Sequence, residues 1–193
     1  FGAGAGEQNT TGNENAFFGY QAGFSNQTSC CNSFFGRSAG AVNTTGQLNS
    51  FVGSGSGFFN TTGNENSFFG VFAGDTNTTG SSNTIIGSRA DVGSGNLSYA
   101  TAIGAGSVVS TDDTIVLGRS AGQETVQVPG SLNVAGTVTG NGAGITNLNA
   151  SNITTGTLNN ARLGVVPIAN GGTGSATQNF VDLTTTQTVG GDK

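Results

Sequence analysis

The stretch N-S-F-F-G-R-S-A-G-A-V-N-T-T-G-Q, residues 32–47, decides how this chain is read. Its opening recurs as N-A-F-F-G from Asn15, N-S-F-V-G from Asn49, N-S-F-F-G from Asn66 and N-T-I-I-G from Asn83. The closing glycine falls at Gly2, Gly19, Gly36, Gly53, Gly70, Gly87 and Gly104, a step of 17, and then at Gly118 after 14. Two further marks keep step: Ala-Gly a few residues later (Ala22-Gly23, Ala39-Gly40, Ala73-Gly74, Ala121-Gly122), and N-T-T-G from Asn9, Asn43, Asn60 and Asn77 with N-Q-T-S at Asn26. A unit repeated at this fidelity is built to stack on its own copies.

Glycine at fixed places in every unit, with aromatic and β-branched residues between, opposes helix. Short apolar pieces bounded by Gly, Asn and Ser read as strands and corners. Each unit is expected to give two short strands and two corners, and stacked units give an all-β parallel β-solenoid. Coils advance by the inter-strand spacing of about 4.8 Å.

The paired phenylalanines carry a further expectation, because adjacent strand residues point to opposite faces. One ladder is Phe17, Phe34, Phe51, Phe68, Ile85, Ala102 and Val116; the other is Phe18, Phe35, Val52, Phe69, Ile86, Ile103 and Leu117. Only one can face the interior of its own coil. The other leaves an apolar stripe that several chains packed around a common axis would bury. Asn15, Asn32, Asn49, Asn66 and Asn83, and separately Asn9, Asn26, Asn43, Asn60 and Asn77, are expected to stack as amide ladders, and asparagine tolerates the left-handed conformation of tight corners.

Composition narrows the function. Of 193 residues only 8% are charged, with no His, Met or Trp, 35 Gly and 13 Phe. Regularly placed Phe argues for order despite the low charge. A net charge of −5 with five scattered basic residues disfavours nucleic acid as a partner. No apolar run approaches the roughly 18 residues of a membrane span. The chain opens at Phe1-Gly2, inside a motif and without an initiating Met, which reads as a processed or partial product.

Without His, the common hydrolytic triads and His-ligated metals are out of reach. Glycine strings such as residues 2–6 and 140–144 lack the lysine of a phosphate loop. Asp112-Asp113 reads as a solvated turn, and the other acids are dispersed. No catalytic residue, cofactor or metal is expected. Cys30 and Cys31 are adjacent, which strains a bond between them; they read either as free thiols on a surface loop or as bridges between symmetry-related subunits.

Residues 100–122, A-T-A-I-G-A-G-S-V-V-S-T-D-D-T-I-V-L-G-R-S-A-G, resemble the 14-residue repeat of trimeric autotransporter adhesin heads, the YadA-like left-handed parallel β-roll. The 17-residue units before them resemble a longer variant found in bacterial and phage tail-fibre-domain proteins. The resemblance covers residues 1–122 and implies a homotrimer around a three-fold axis. Residues 123–145 read as connecting strands, with Leu132, Val134 and Val138 alternating as in a strand. Residues 146–193 resemble the low-complexity shaft of phage tail fibres, carried by G-I-T-N-L-N-A-S-N-I-T-T-G-T-L (144–158) and I-A-N-G-G-T-G (168–174). There Leu148, Ile153, Leu158, Leu163 and Ile168 recur at a step of five, read as strands of three chains wrapping one another.

The expectation is a non-enzymatic, extracellular homotrimeric rod, on a phage virion or a bacterial surface. One alternative is an adhesin head binding a host receptor or glycan through positions such as Tyr20-Gln21, Arg37-Ser38, Ser54-Gly55 and Val71-Phe72. Another is the subunit of a self-assembling extracellular filament.

Overall fold

The computed structural model describes residues 2–119 and 125–139. Seven three-residue strands form one parallel sheet: β1 (Ala16–Phe18), β2 (Ser33–Phe35), β3 (Ser50–Val52), β4 (Ser67–Phe69), β5 (Thr84–Ile86), β7 (Thr101–Ile103) and β9 (Ile115–Leu117). Two two-residue strands, β6 (Asp91–Val92) and β8 (Val108–Val109), pair in parallel on their own. Each residue of a strand lies beside its counterpart in the next coil. Phe34 pairs with Phe51 and Phe51 with Phe68, 17 residues on, while Thr101 pairs with Ile115, 14 residues on. Residues 2–119 form a β-solenoid, and no helix occurs among the described residues.

The second strand expected in every unit forms only in the last coils. Elsewhere that side is turns, and the reason lies in the size of the inward residue. A side chain at Gly40 would meet the Phe34 ring at 2.5 Å, and the same holds for Gly57 against Phe51 and Gly74 against Phe68. The glycine of the Ala-Gly mark therefore makes room for an aromatic ring six residues earlier, and it takes a left-handed turn as it does so (φ 57° at Gly40). Where the inward residue shrinks to Ile85 or Ala102, Asp91 or Val108 stands in place of that glycine, and the segment straightens into β6 or β8.

The ladder that fills the interior is Phe17, Phe34, Phe51, Phe68, Ile85, Ala102 and Val116. Phe34, Phe51, Phe68, Ile85 and Ala102 are fully buried. Their rings stack face to face, with centroids 4.8 Å apart for both Phe34–Phe51 and Phe51–Phe68 and tilts of 5° and 6°. Ala22, Ala39, Ala73 and Ala90 line the opposite wall, all fully buried.

The corners do not draw on that tolerance of asparagine. Among the described residues no asparagine takes positive φ; at these corners the left-handed residue is the one before the residue that leads the strand, Glu14, Cys31, Leu48, Glu65 and Ser82 before an Asn and Tyr99 before Ala100, with φ between 55° and 64°. Backbone bonds between coils impose it, among them Glu65 N–H to Gln47 O at 2.9 Å and Ser82 N–H to Asn64 O at 2.9 Å. The conformation costs an L-residue about 1–2 kcal/mol.

Residues 125–139 carry no strand, and Leu132, Val134 and Val138 are exposed. Among the described residues their alternation has no sheet neighbour to pair with, and an isolated strand does not sustain itself in water. The step of five from Leu148 to Ile168, and the whole segment 146–193, lie outside the described residues.

Gly53 and Leu48 offer opposite tests of this backbone. Gly53 has φ 137°, and an added Cβ would sit 2.2 Å from the Gly70 carbonyl oxygen. Gly53→Ala is expected to cost about 3 kcal/mol by overpacking and strain. Leu48→Asn, at an exposed corner already left-handed, is expected to gain about 0.5 kcal/mol. Chemical denaturation of the two variants against the parent checks both signs.

Candidate functional site

The two asparagine ladders set the geometry on which any outer surface is displayed. Asn43 Nδ2 donates to Asn26 Oδ1 at 3.2 Å, Asn60 to Asn43 at 2.9 Å and Asn77 to Asn60 at 2.8 Å, a continuous side-chain amide chain. The same amides donate within their own turn, as Asn60 Nδ2 does to Gly63 O at 3.0 Å. The strand-leading ladder works differently. Its Oδ1 accepts the backbone N–H of the next coil, from Asn49 to Asn32, Asn66 to Asn49, Asn83 to Asn66 and Ala100 to Asn83, each at 2.9–3.0 Å. Its Nδ2 donates to the glycine carbonyl that ends N-T-T-G, as Asn49 does to Gly63 O at 2.8 Å. Asn15 begins this ladder by accepting from Asn32 N–H at 3.0 Å. All but the first of each ladder are fully buried. Among the described residues no buried side-chain nitrogen or oxygen lacks a partner. Where the repeat reads N-Q-T-S, the buried Ser29 hydroxyl donates to Asn26 Oδ1 and accepts from Asn32 and Asn43.

A third column was not anticipated from the sequence, because its members share no residue type. Gln47 N–H donates to Asn64 Oδ1 at 2.8 Å, Asn64 N–H to Ser81 Oγ at 3.0 Å, Ser81 N–H to Ser98 Oγ at 3.1 Å and Ser98 N–H to Asp112 Oδ1 at 2.8 Å. Any short oxygen acceptor serves there, so only the spacing of polar residues could have signalled it. In N-T-T-G the first Thr is consumed likewise: Thr44, Thr61 and Thr78 each donate a hydroxyl to a carbonyl of the next coil.

The surface left over is the outward side of the long sheet. Phe18, Phe35, Val52, Phe69, Ile86, Ile103 and Leu117 form one column, each 38–51% exposed. Phe18 and Phe35 stack at 4.9 Å. Beside the column, the other outward position of each strand is Ala16, Ser33, Ser50, Ser67, Thr84, Thr101 or Ile115, so the face carries no charge. An uncharged apolar stripe about 29 Å long, at about 4.8 Å per coil, is of the kind that marks an interaction surface. Tyr20, Val71 and Phe72 are also exposed, and the Arg89 guanidinium lies 5.7 Å from the Phe72 ring centre.

Of the remaining candidates, Cys30 and Cys31 are half-buried with their sulfurs 2.6 Å apart in one chain. Asp112 caps the third column. No group of three or more His, Cys, Asp or Glu among the described residues could hold a metal ion, and no helix there is long and apolar enough to cross a membrane. Comparisons with family models, curated proteins and solved structures find no match to this chain.

One carboxyl is perturbed. Burial pushes Asp91 up to about 6, helped by the neighbouring Asp75 and opposed by hydrogen bonds from the Thr76 hydroxyl (2.6 Å) and the Val92 N–H (2.8 Å). A raised carboxyl binds its proton more tightly folded than unfolded, so this group makes the protein less stable as pH rises from about 4 through about 6. Discounted for its partial exposure, the loss is about 1 kcal/mol. Asp91→Asn is expected to flatten that part of the stability–pH curve, read by denaturant unfolding at a series of pH values.

Proposed function

We propose that this chain is a non-enzymatic structural rod that assembles as a homotrimer through the outward ladder, in the manner of a tail-fibre segment that spaces or presents a tip on a phage or bacterial surface. The observation that carries the reading is the unbroken column from Phe18 to Leu117 on a face without charge. A lone coil stack has no use for a second aromatic ladder, and leaving it in water forgoes roughly 25 cal/mol for each Å² it could bury. Copies packed in parallel around a common axis, coil level with coil, would cover the stripe along its full length.

A mechanical role agrees with the packing, the bonding between coils and the resemblance of the repeats. The interior of the described coils is filled by stacked rings and closed amide ladders. The inter-coil bonds run along the rod, so bending it means breaking them. The resemblance of the 14-residue unit to trimeric adhesin heads supplies the number three, and that of the later segment supplies the tail-fibre setting.

Light scattering across a sizing column tests the assembly. The expected mass is near three times the 19.0 kDa chain. The double variant Phe35→Asp/Phe69→Asp, on the outward face, is expected to lower that mass while leaving the β circular-dichroism signal unchanged. A parent protein that elutes as a 19.0 kDa monomer would overturn the proposal, and a polydisperse high-mass peak would replace it with an open filament.

A further inference from the structure

The cysteine pair lies where the third column of hydrogen bonds stops. In the later coils that column holds Gln47, Asn64, Ser81 and Ser98, and from Asn64 on each side chain accepts a backbone N–H of the preceding coil through a good oxygen acceptor. Cys30 occupies the column in the second coil, and a thiol is a weak acceptor. The repeat thus sets a poorer residue where an oxygen serves elsewhere, and places a second cysteine at the left-handed corner beside it. Cys31 has φ 64° there, the conformation its counterparts Glu14, Leu48 and Glu65 also adopt. The corner is held from both sides, by Cys31 N–H to Asn13 O at 3.2 Å and Leu48 N–H to Cys30 O at 3.3 Å. That fixed corner brings the two sulfurs to 2.6 Å, with the Cys31 S–H directed at Cys30 and the Glu14 carboxylate 3.7 Å from Cys31 Sγ.

From this geometry we infer that Cys30 and Cys31 are a preorganised vicinal dithiol that reacts reversibly with small-molecule disulfides such as oxidised glutathione, closing to a disulfide within the chain. The Cys30 thiolate attacks one sulfur of the glutathione disulfide, forming a mixed disulfide and expelling one glutathione thiolate. Cys31 then gives up its proton to solvent and attacks the Cys30 sulfur. The second glutathione leaves, two protein thiols are oxidised, and one glutathione disulfide is reduced to two thiols. Cys30 rather than Cys31 starts the exchange, and proton loss from Cys31 paces ring closure. Its hydrogen bond to Cys30, with burial and the charge of Glu14 adding to it, pushes its thiol up to about 11, and a protonated thiol does not start the exchange. Adjacent cysteines lie closer at Cα than an unstrained bridge allows, and strained, accessible disulfides are the readily reduced ones. The product is accordingly a labile ring and not a structural staple.

The experiment treats the reduced full chain with oxidised glutathione and reads intact mass, the peptide ending at Arg37, and a non-reducing gel. The expected result is a peptide lighter by two hydrogens, migration as a single chain, and full return of both thiols on adding excess reduced glutathione. Cys31→Ser should retain one glutathione on Cys30 without closing a ring, and Cys30→Ser, left with the thiol that does not start the exchange, should take up glutathione far more slowly. Glu14→Gln, which removes the charge beside Cys31 without touching either sulfur, should speed ring closure several-fold. Glutathione adducts persisting on the unsubstituted chain, or chains covalently joined to one another, would overturn the inference. So would a ring that excess reduced glutathione fails to open.

Discussion

The structure depends on one constraint: each coil must satisfy its buried corner from the coil next to it. A 17-residue turn contains three strand residues, or five where β6 adds two, so most of its polar backbone lies outside the sheets. Buried peptide groups without partners cost about 1–3 kcal/mol each, and a stack of such coils would not stand. Asparagine resolves this because one short side chain both accepts and donates. Asn49 takes the N–H of Asn66 and gives to Gly63 O, so a single amide ties a corner of its own coil to the coil beyond. Aspartate has no donor, and glutamine is longer by a methylene. The glycine of N-T-T-G follows from the same contact: a Cβ at Gly46 would lie 2.4 Å from both Asn43 Oδ1 and Gly63 O.

Register is a consequence of these bonds, and the aromatic core is a consequence of register. With the amides aligned, Phe34, Phe51 and Phe68 stack at one ring spacing, and each ring requires the glycine six residues on. The outward ladder inherits the same alignment. It is regular because the inner one is regular, and the proposed assembly rests on that regularity. A chain organised in this way has little place for a chemical cleft and much capacity to resist bending, which is why the proposed role is mechanical.

Much of this was legible in the sequence, for a physical reason: in a stack, identical positions meet, so the repeat states the contact map directly. The step of 17, the closing step of 14 and the separation of the paired Phe onto two faces all follow from position alone. What the sequence concealed was conformation set by neighbours. Glu14, Cys31, Leu48 and Tyr99 have no shared chemistry, yet all are left-handed, because bonds between coils fix the corner and the side chain merely tolerates it. The missing second strand was hidden in the Phe34–Gly40 contact, a pairing of volumes six residues apart. The third column was concealed by the variety of its acceptors, Asn64, Ser81, Ser98 and Asp112. The proximity of the Cys30 and Cys31 sulfurs, too, depends on that corner.

The most direct test of the account is amide hydrogen exchange resolved by residue. The backbone N–H groups of Asn49, Asn66, Asn83 and Ala100, each donated to the asparagine of the preceding coil, should be among the slowest to exchange and should exchange together, since none can open without freeing a coil. Residues 125–139, exposed and without strands, should exchange fast. If the four ladder amides exchanged as rapidly as those, the asparagine ladder would not be what holds the coils together, and the reading built on it would fail.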